Sequence, residues 1–311
     1  MQINTRTLAS RRLARVLALG AAVLWAAGCG GALDSVDGTG TPPPPGGTEL
    51  RATLRGTQEV PAVQTLGSGS ASAILSADQS TLTVTLQTQG LTNVQLAHIH
   101  VAPVGQNGPI ILPLYDAATD GAFPATLSRV LTAADLQPQP AAGVTTFADA
   151  VQAILNGRTY INVHTQQNPG GEIRGQLGPV SLRAVLSGDN EVPPVITTAT
   201  GNADIVLNGL QSQVQVVLTT SGLQNVVAAH IHVGAAGEEG GIILPLYDAS
   251  IDGVFPAVLT RVVTAADLQA QPTGGIVNFD DAINAILSGN TYVNVHTQQN
   301  PDGEIRGQIT P

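Results

Sequence analysis

The chain has 311 residues, 22 acidic and 12 basic side chains, a net charge of −10, one cysteine and only 3% aromatic residues. Such acidity repels phosphate backbones and argues against nucleic acid as a partner. A single cysteine rules out an internal disulfide, so each folded part must be held by hydrophobic burial.

The amino terminus reads as an export signal. Arg6, Arg11, Arg12 and Arg15 surround the start of an apolar run over residues 16–25, which falls short of the about 20 apolar residues that a spanning helix needs. Ala26-Ala27-Gly28-Cys29 then sets small residues before the only cysteine. This resembles the lipobox of bacterial lipoproteins, in which Cys29 is lipidated and becomes the new N-terminus. Residues 1–28 are thus read as a lipoprotein signal peptide, and their removal leaves eight arginines, no lysine and all 22 acids, a net charge of −14. Residues 29–48 include Pro42-Pro43-Pro44-Pro45 and several glycines, a composition suited to a tether. The expectation is a membrane partner reached through the lipidated N-terminus, in the cell envelope. Gly30, rather than Asp, after the cysteine points by resemblance to Gram-negative sorting towards the outer membrane.

The rest of the chain is one unit written twice. An offset of 132 residues, with no gap, maps Glu59 to Glu191, His98 to His230, Tyr115 to Tyr247, Phe147 to Phe279, His164 to His296 and Glu172 to Glu304. Residues 49–180 form domain 1 and residues 181–311 domain 2, with almost no linker and close contact expected. Apolar and polar residues alternate over residues 82–86, 97–101, 160–164 and 214–216, the period of a strand. Thr132 and Thr264, each followed three positions later by Asp, read as helix starts, and Phe147, Val151, Ile154 and Leu155 share one face of a helix that Gly157 stops. The expected fold class is all-β: two tandem β-sandwich or partly closed barrel domains with short peripheral helices.

The two copies have diverged unevenly. Over residues 72–90 only 7 of 19 positions match their partners, whereas over residues 164–176 all but Gly170 do. Apolar alternation alone survives in the first stretch, so burial suffices there; the second holds particular side chains. All six histidines lie in the better-kept blocks. A strand's period of two puts His98 and His100 on one face with Ile99 opposite, and Asn162 and His164 on the face opposite Ile161 and Val163. If the two strands are neighbours, three imidazoles and the carboxylate of Glu172 could converge. One candidate metal site is therefore His98, His100, His164 and Glu172; the other is His230, His232, His296 and Glu304. Imidazoles at i and i+2 can chelate Cu or Zn, and a third raises the affinity steeply. The alternative is a structural cluster in which the rings cap backbone groups or bond Glu172 and Asn162. Arg174 is read as an ion pair at a strand edge or a brace for the Gly170-Gly171 turn, and residues 105–109 as a mobile loop.

Ala97-His98-Ile99-His100-Val101, Gly108-Pro109-Ile110-Ile111 and Pro169-Gly170-Gly171-Glu172-Ile173-Arg174-Gly175-Gln176 resemble the CHRD domain, as do their second copies and the openings Gly56-Thr57-Gln58-Glu59-Val60-Pro61 and Gly188-Asp189-Asn190-Glu191-Val192-Pro193. The resemblance covers nearly all of both copies. It implies a β-sandwich of immunoglobulin-like or Cu/Zn superoxide dismutase-like form and no agreed activity. The family is named after chordin, an extracellular protein that binds growth factors, a context that stays with chordin. His98-x-His100 and His164 look like part of a dismutase copper set, but a fourth, bridging histidine, a zinc-loop cluster and a cysteine pair are missing. With no nucleophile elbow, Cys/His pair or acid–base couple either, the expectation is a binding or interaction module for an envelope or extracellular protein rather than an enzyme. The rival reading is a metal-binding protein.

Overall fold

A computed structural model describes residues 47–311; the signal peptide, Cys29 and all but the last two residues of the tether lie outside the described part. Domain 1 contains β1 (Thr48–Arg55), β2 (Ser68–Leu75), β3 (Leu82–Gln89), β4 (Val94–Val101), β5 (Ile110–Asp116), β6 (Thr126–Leu131), β7 (Thr159–Thr165) and β8 (Ile173–Leu177), with helices α1 (Ala117–Asp120) and α2 (Phe147–Leu155). Domain 2 repeats the pattern as β9 (Val180–Ser187), β10 (Thr200–Leu207), β11 (Gln213–Ser221), β12 (Val226–Val233), β13 (Ile242–Asp248), β14 (Val258–Thr264), β15 (Thr291–Thr297) and β16 (Ile305–Gln308), with α3 (Ala249–Asp252) and α4 (Phe279–Leu287).

In domain 1 the strands form one antiparallel sheet in the order β5-β4-β7-β8-β1-β2-β3-β6, and domain 2 follows the same order. The sheet curls until its edges meet, where Arg129 of β6 donates from Nε to the Leu114 carbonyl of β5 at 2.8 Å. The result is a flattened barrel, the all-β class that the alternation predicts. Leu82, Val84 and Leu86 point inward from β3, and Leu54, Ile99, Ile161 and Ile173 meet them in the core. Where a strand is covered on one side only, its residues alternate between buried and exposed, as in β9 and β10. β7 and β15 are buried at every position, because loops cover their outer face as well.

Of the helices, α2 and α4 bury one face in the core of their own domain, whereas α1 and α3 bury no residue. Thr146 and Asp149 form a capping box that opens α2, and Phe147, Val151 and Ile154 are buried from it. The Thr132 and Thr264 boxes also form, but each opens only a single 3-10 turn, Ala133–Asp135 and Ala265–Asp267.

The two domains touch through unlike surfaces. Gln211, in the turn between β10 and β11 of domain 2, accepts from the Thr53 backbone N–H at 3.0 Å and donates to the Gln176 carbonyl at 3.0 Å. Asn284 of α4 accepts from Thr57 and Gln58, and Val104 of domain 1 packs into the apolar core of domain 2. Gln79 is the counterpart of Gln211 in domain 1 and is exposed. Both residues have left-handed backbones, φ 58 and φ 53, so a glycine fits either position equally. Gln211→Gly strands a buried donor and acceptor and should lower stability by about 1–3 kcal/mol in chemical denaturation, while Gln79→Gly in dilute solution should leave it nearly unchanged.

Candidate metal centre

β4 lies between β5 and β7, with His98 opposite Asn162, His100 opposite Tyr160 and Leu96 opposite His164. The β4–β7 register therefore sets His164 diagonally beside His98. With Ile99, Ile161 and Val163 committed to the core, the imidazoles project from the sheet's other face. That face is covered too: His98, His100 and His164 are each 7–8% exposed. Ring centroids are 5.7 Å apart for His98 and His100, 5.2 Å for His98 and His164, and 5.8 Å for His100 and His164. In domain 2, His230, His232 and His296 repeat these separations at 5.6, 5.1 and 5.7 Å.

Hydrogen bonds fix the state of the rings. His100 Nδ1 lies 2.9 Å from the Gly108 carbonyl and His164 Nδ1 lies 3.0 Å from the Pro169 carbonyl. A carbonyl only accepts, so both Nδ1 atoms carry the proton and both Nε2 atoms keep a lone pair. Those two Nε2 atoms, with His98 Nδ1, are buried and have no hydrogen-bond partner among the described residues; His230 Nδ1, His232 Nε2 and His296 Nε2 match them. Ligand atoms of each trio lie within 4.8 Å of one another. Imidazoles sharing one tetrahedral ion stand about 3.4 Å apart, so a loaded site closes by roughly an ångström. Burial holds His98 and His100 down at a pKa of about 4, with the neighbouring His164 ring adding to the effect, and burial lowers His164 as well. The rings are neutral at pH 7, the form in which imidazole binds a metal.

A layered support fixes His100 from behind. The Tyr160 ring stacks on it at 4.8 Å, and the Arg174 guanidinium sits 3.5 Å over the Tyr160 centroid. The Gly108 N–H donates to the Tyr160 hydroxyl at 3.1 Å while its carbonyl holds His100. A Cβ on Gly108 would fall 1.9 Å from the Val101 carbonyl oxygen, so the strap cannot carry a side chain there. Residues 105–109 are consequently pinned: Asn107 also donates to the Val60 carbonyl, and Arg174 to Gln106. The reading of a mobile loop gives way to that of a strap.

Two further expectations are corrected. Glu172 does not join the imidazoles; its carboxylate accepts from Thr65 and Thr165, both at 2.6 Å. Burial alone would raise its pKa, but these hydroxyl bonds bring it below the usual value. Glu304 is held likewise by Thr197 and Thr297. The cause is the loop between β7 and β8, whose Pro169 carbonyl reaches the imidazole while Glu172, beyond Gly171, is turned towards Thr65. Arg174 makes no ion pair with Glu172; at 1% exposed it lies inside, among Tyr160 and loop carbonyls.

Glu59 escapes recognition as a site residue in the sequence. It is buried beside Asn162, which donates to it at 3.4 Å, and both press against Gly171, whose φ of +127 and lack of Cβ leave them room. Burial raises the Glu59 carboxyl to about 7 against the pull of Arg174 and Asn162, and Glu191 is raised to about 7 for the same first reason. The only hint in the sequence is that Glu59 and Glu191 keep equivalent places in both openings.

A family model described as CHRD domain matches residues 50–177 and 182–309, together well over half the chain. Chordin of Xenopus laevis is 28% identical over 169 residues, 50% of this chain and 17% of chordin, so the chain matches only a small part of that relative's length. No solved structure matches significantly.

The shifted groups predict a pH profile. The folded histidines sit below their ordinary value of 6.5, so their contribution to stability is full above pH 6.5 and is lost as pH falls towards 4. Glu59 and Glu191, raised from 4.5 to about 7, act in the opposite sense: their contribution is present below pH 4.5 and lost as pH rises through 7. Six lowered histidines outweigh two raised carboxyls, so the metal-free chain should melt at progressively lower temperature between pH 6.5 and 4. Replacing both glutamates by Gln should steepen that fall. A flat profile would mean that the imidazoles are not held neutral.

Proposed function

We propose that this chain, which belongs to the CHRD domain family, is a lipid-tethered metal-binding protein of the cell envelope that holds one Cu or Zn ion in each domain. His98, His100 and His164 ligate in domain 1, and His230, His232 and His296 in domain 2. One observation carries this reading: three unpartnered imidazole nitrogens per domain are buried facing one another, while the opposite nitrogen of two rings is fixed by a backbone carbonyl. A buried acceptor left unpaired costs about 1–3 kcal/mol, and an ion shared by the three rings removes that cost. Outer partners that set the tautomer and orientation of histidine ligands are the usual support of such sites. Buried polar atoms in a purely structural cluster are as a rule hydrogen-bonded, and three nitrogens per domain here bond no protein group. Neutral imidazole donors suit Cu and Zn rather than Ca or Mg. The role is binding; superoxide dismutation has no support in a set that lacks a bridging histidine.

The envelope location rests on Arg6, Arg11, Arg12, Arg15, the apolar run and Cys29. Buried acyl chains contribute about 0.8 kcal/mol per CH₂, which holds a multiply acylated cysteine firmly without a spanning helix.

Metal analysis of protein without an affinity tag, equilibrated with Cu(II) or Zn(II) and then dialysed, should give two ions per chain. Changing His98 and His100 to Ala should leave one, and adding His230→Ala and His232→Ala none, with an affinity loss beyond the about 10–100-fold expected of an outer partner. Metal-free wild type after equilibration, or stoichiometry indifferent to these changes, sinks the proposal. Independently, Cys29→Ala should move the chain from the membrane fraction to the soluble one; unchanged fractionation would remove the lipid anchor.

A further inference from the structure

The contact between the domains joins a face of domain 1 to a different face of domain 2. Because the domains are repeats, each carries a version of both faces, and one of each is left over. A heterologous contact of this kind is not used up by pairing two copies: repeated, it builds a ring where its rotation closes and an open array where it does not.

The face left over on domain 2 corresponds to the Thr53, Gln58 and Gln176 surface of domain 1. Val185 stands in the place of Thr53 and is 68% exposed, whereas Thr53 is 7% exposed under domain 2. Val185, Asp189, Asn190, Arg306 and Gln308 line a surface hollow of about 400 Å³ there. The face left over on domain 1 is the turn that carries Gln79, whose side chain makes no hydrogen bond among the described residues. Gln79 and Gln211 are the same residue in a stretch where only 7 of 19 positions match. A left-handed backbone favours Gly or Asn, so the turn itself does not ask for glutamine. At Gln211 the side chain has a task, bridging the Thr53 N–H and the Gln176 carbonyl.

We propose that the hollow on domain 2 receives the Gln79 turn of a second copy of this chain, so that copies join end to end in an open array. Gln79 then accepts from the Val185 N–H and donates to the Gln308 carbonyl, as Gln211 does with their counterparts. Asp189 comes opposite Gln152 and Asn156, a carboxylate facing two amide donors. Four differences weaken this contact relative to the internal one. Ala236 stands in the place of Val104, which packs into the domain 2 core, and Ser187 in the place of Arg55, whose guanidinium lies 3.9 Å from Asp281. Ala77 replaces Gly209, whose Cβ position lies 2.7 Å from a Leu50 methyl, so the end of the Leu182 side chain must shift. The Arg183 N–H is already bonded to Thr310, whereas its counterpart Arg51 bonds the turn at Gly209. The internal contact also has the effective concentration of a covalent link, which two separate chains lack. Assembly is therefore expected at high concentration.

Sedimentation velocity of the full chain from about 1 µM to about 1 mM tests this range of weak affinity. The weight-average mass should grow past that of a dimer without a plateau. Val185→Arg and Gln79→Gly should each abolish that growth at unchanged melting temperature, both positions being exposed, and Asp189→Arg on the same rim serves if Val185→Arg fails to fold. An equimolar mixture of the two variants should form dimers and stop, because one keeps the turn and the other keeps the hollow. Monomer at every concentration, a wild-type plateau at dimer, or growth indifferent to both variants overturns the proposal.

Discussion

The antiparallel pairing of β4 with β7 is the contact on which the molecule's chemistry depends. It places two histidine-bearing strands side by side in a register that sends Ile99, Ile161 and Val163 into the core and three imidazoles to the other face. A slip of one residue would reverse every side chain, exchanging aliphatic groups for imidazoles in the barrel interior. The hydrophobic core and the candidate site are thus fixed by the same constraint, and neither can shift without the other.

The outer face of these strands would ordinarily be wet. Here the strap around Gly108 and the loop after β7 cover it, and each brings a backbone carbonyl to one imidazole. Tyr160 and Arg174 fill the space behind His100 as a stack, using the flat guanidinium for packing rather than for an ion pair. Burial then does two things at once. It keeps the rings unprotonated, and it buries their free lone pairs among protein atoms that do not bond them, the setting in which an ion held between them relieves a large cost.

Duplication has given two near-identical sites in unequal settings. Domain 1 has its β1 face sealed by domain 2, whereas the corresponding β9 face is open and hollow. Equivalent positions therefore have different surroundings: Thr53 is buried under domain 2 and Val185 is exposed, while the histidine blocks hardly differ. Domain 2 lacks the Asn107 brace, since Glu239 stands there, whereas the bond from Arg306 to the Ala235 carbonyl repeats that from Arg174 to the Pro103 carbonyl.

The sequence by itself determined the duplication, through the constant offset of 132 residues, and also the all-β class, the α2 helix and the face that each histidine takes, because these last follow from local periodicity and caps within a few residues. It also identified all six imidazoles, from their confinement to the blocks shared by the two copies. Only the tertiary structure decided which groups stand with them. Glu172 follows His164 closely in the chain, yet Gly171 turns it towards Thr65, while Glu59, about a hundred positions away, arrives beside Asn162. Strand neighbours such as β4 and β7 are set by sheet order, and loop paths by which carbonyl meets which ring. These are contacts between segments distant in the chain, and no spacing within one segment encodes them.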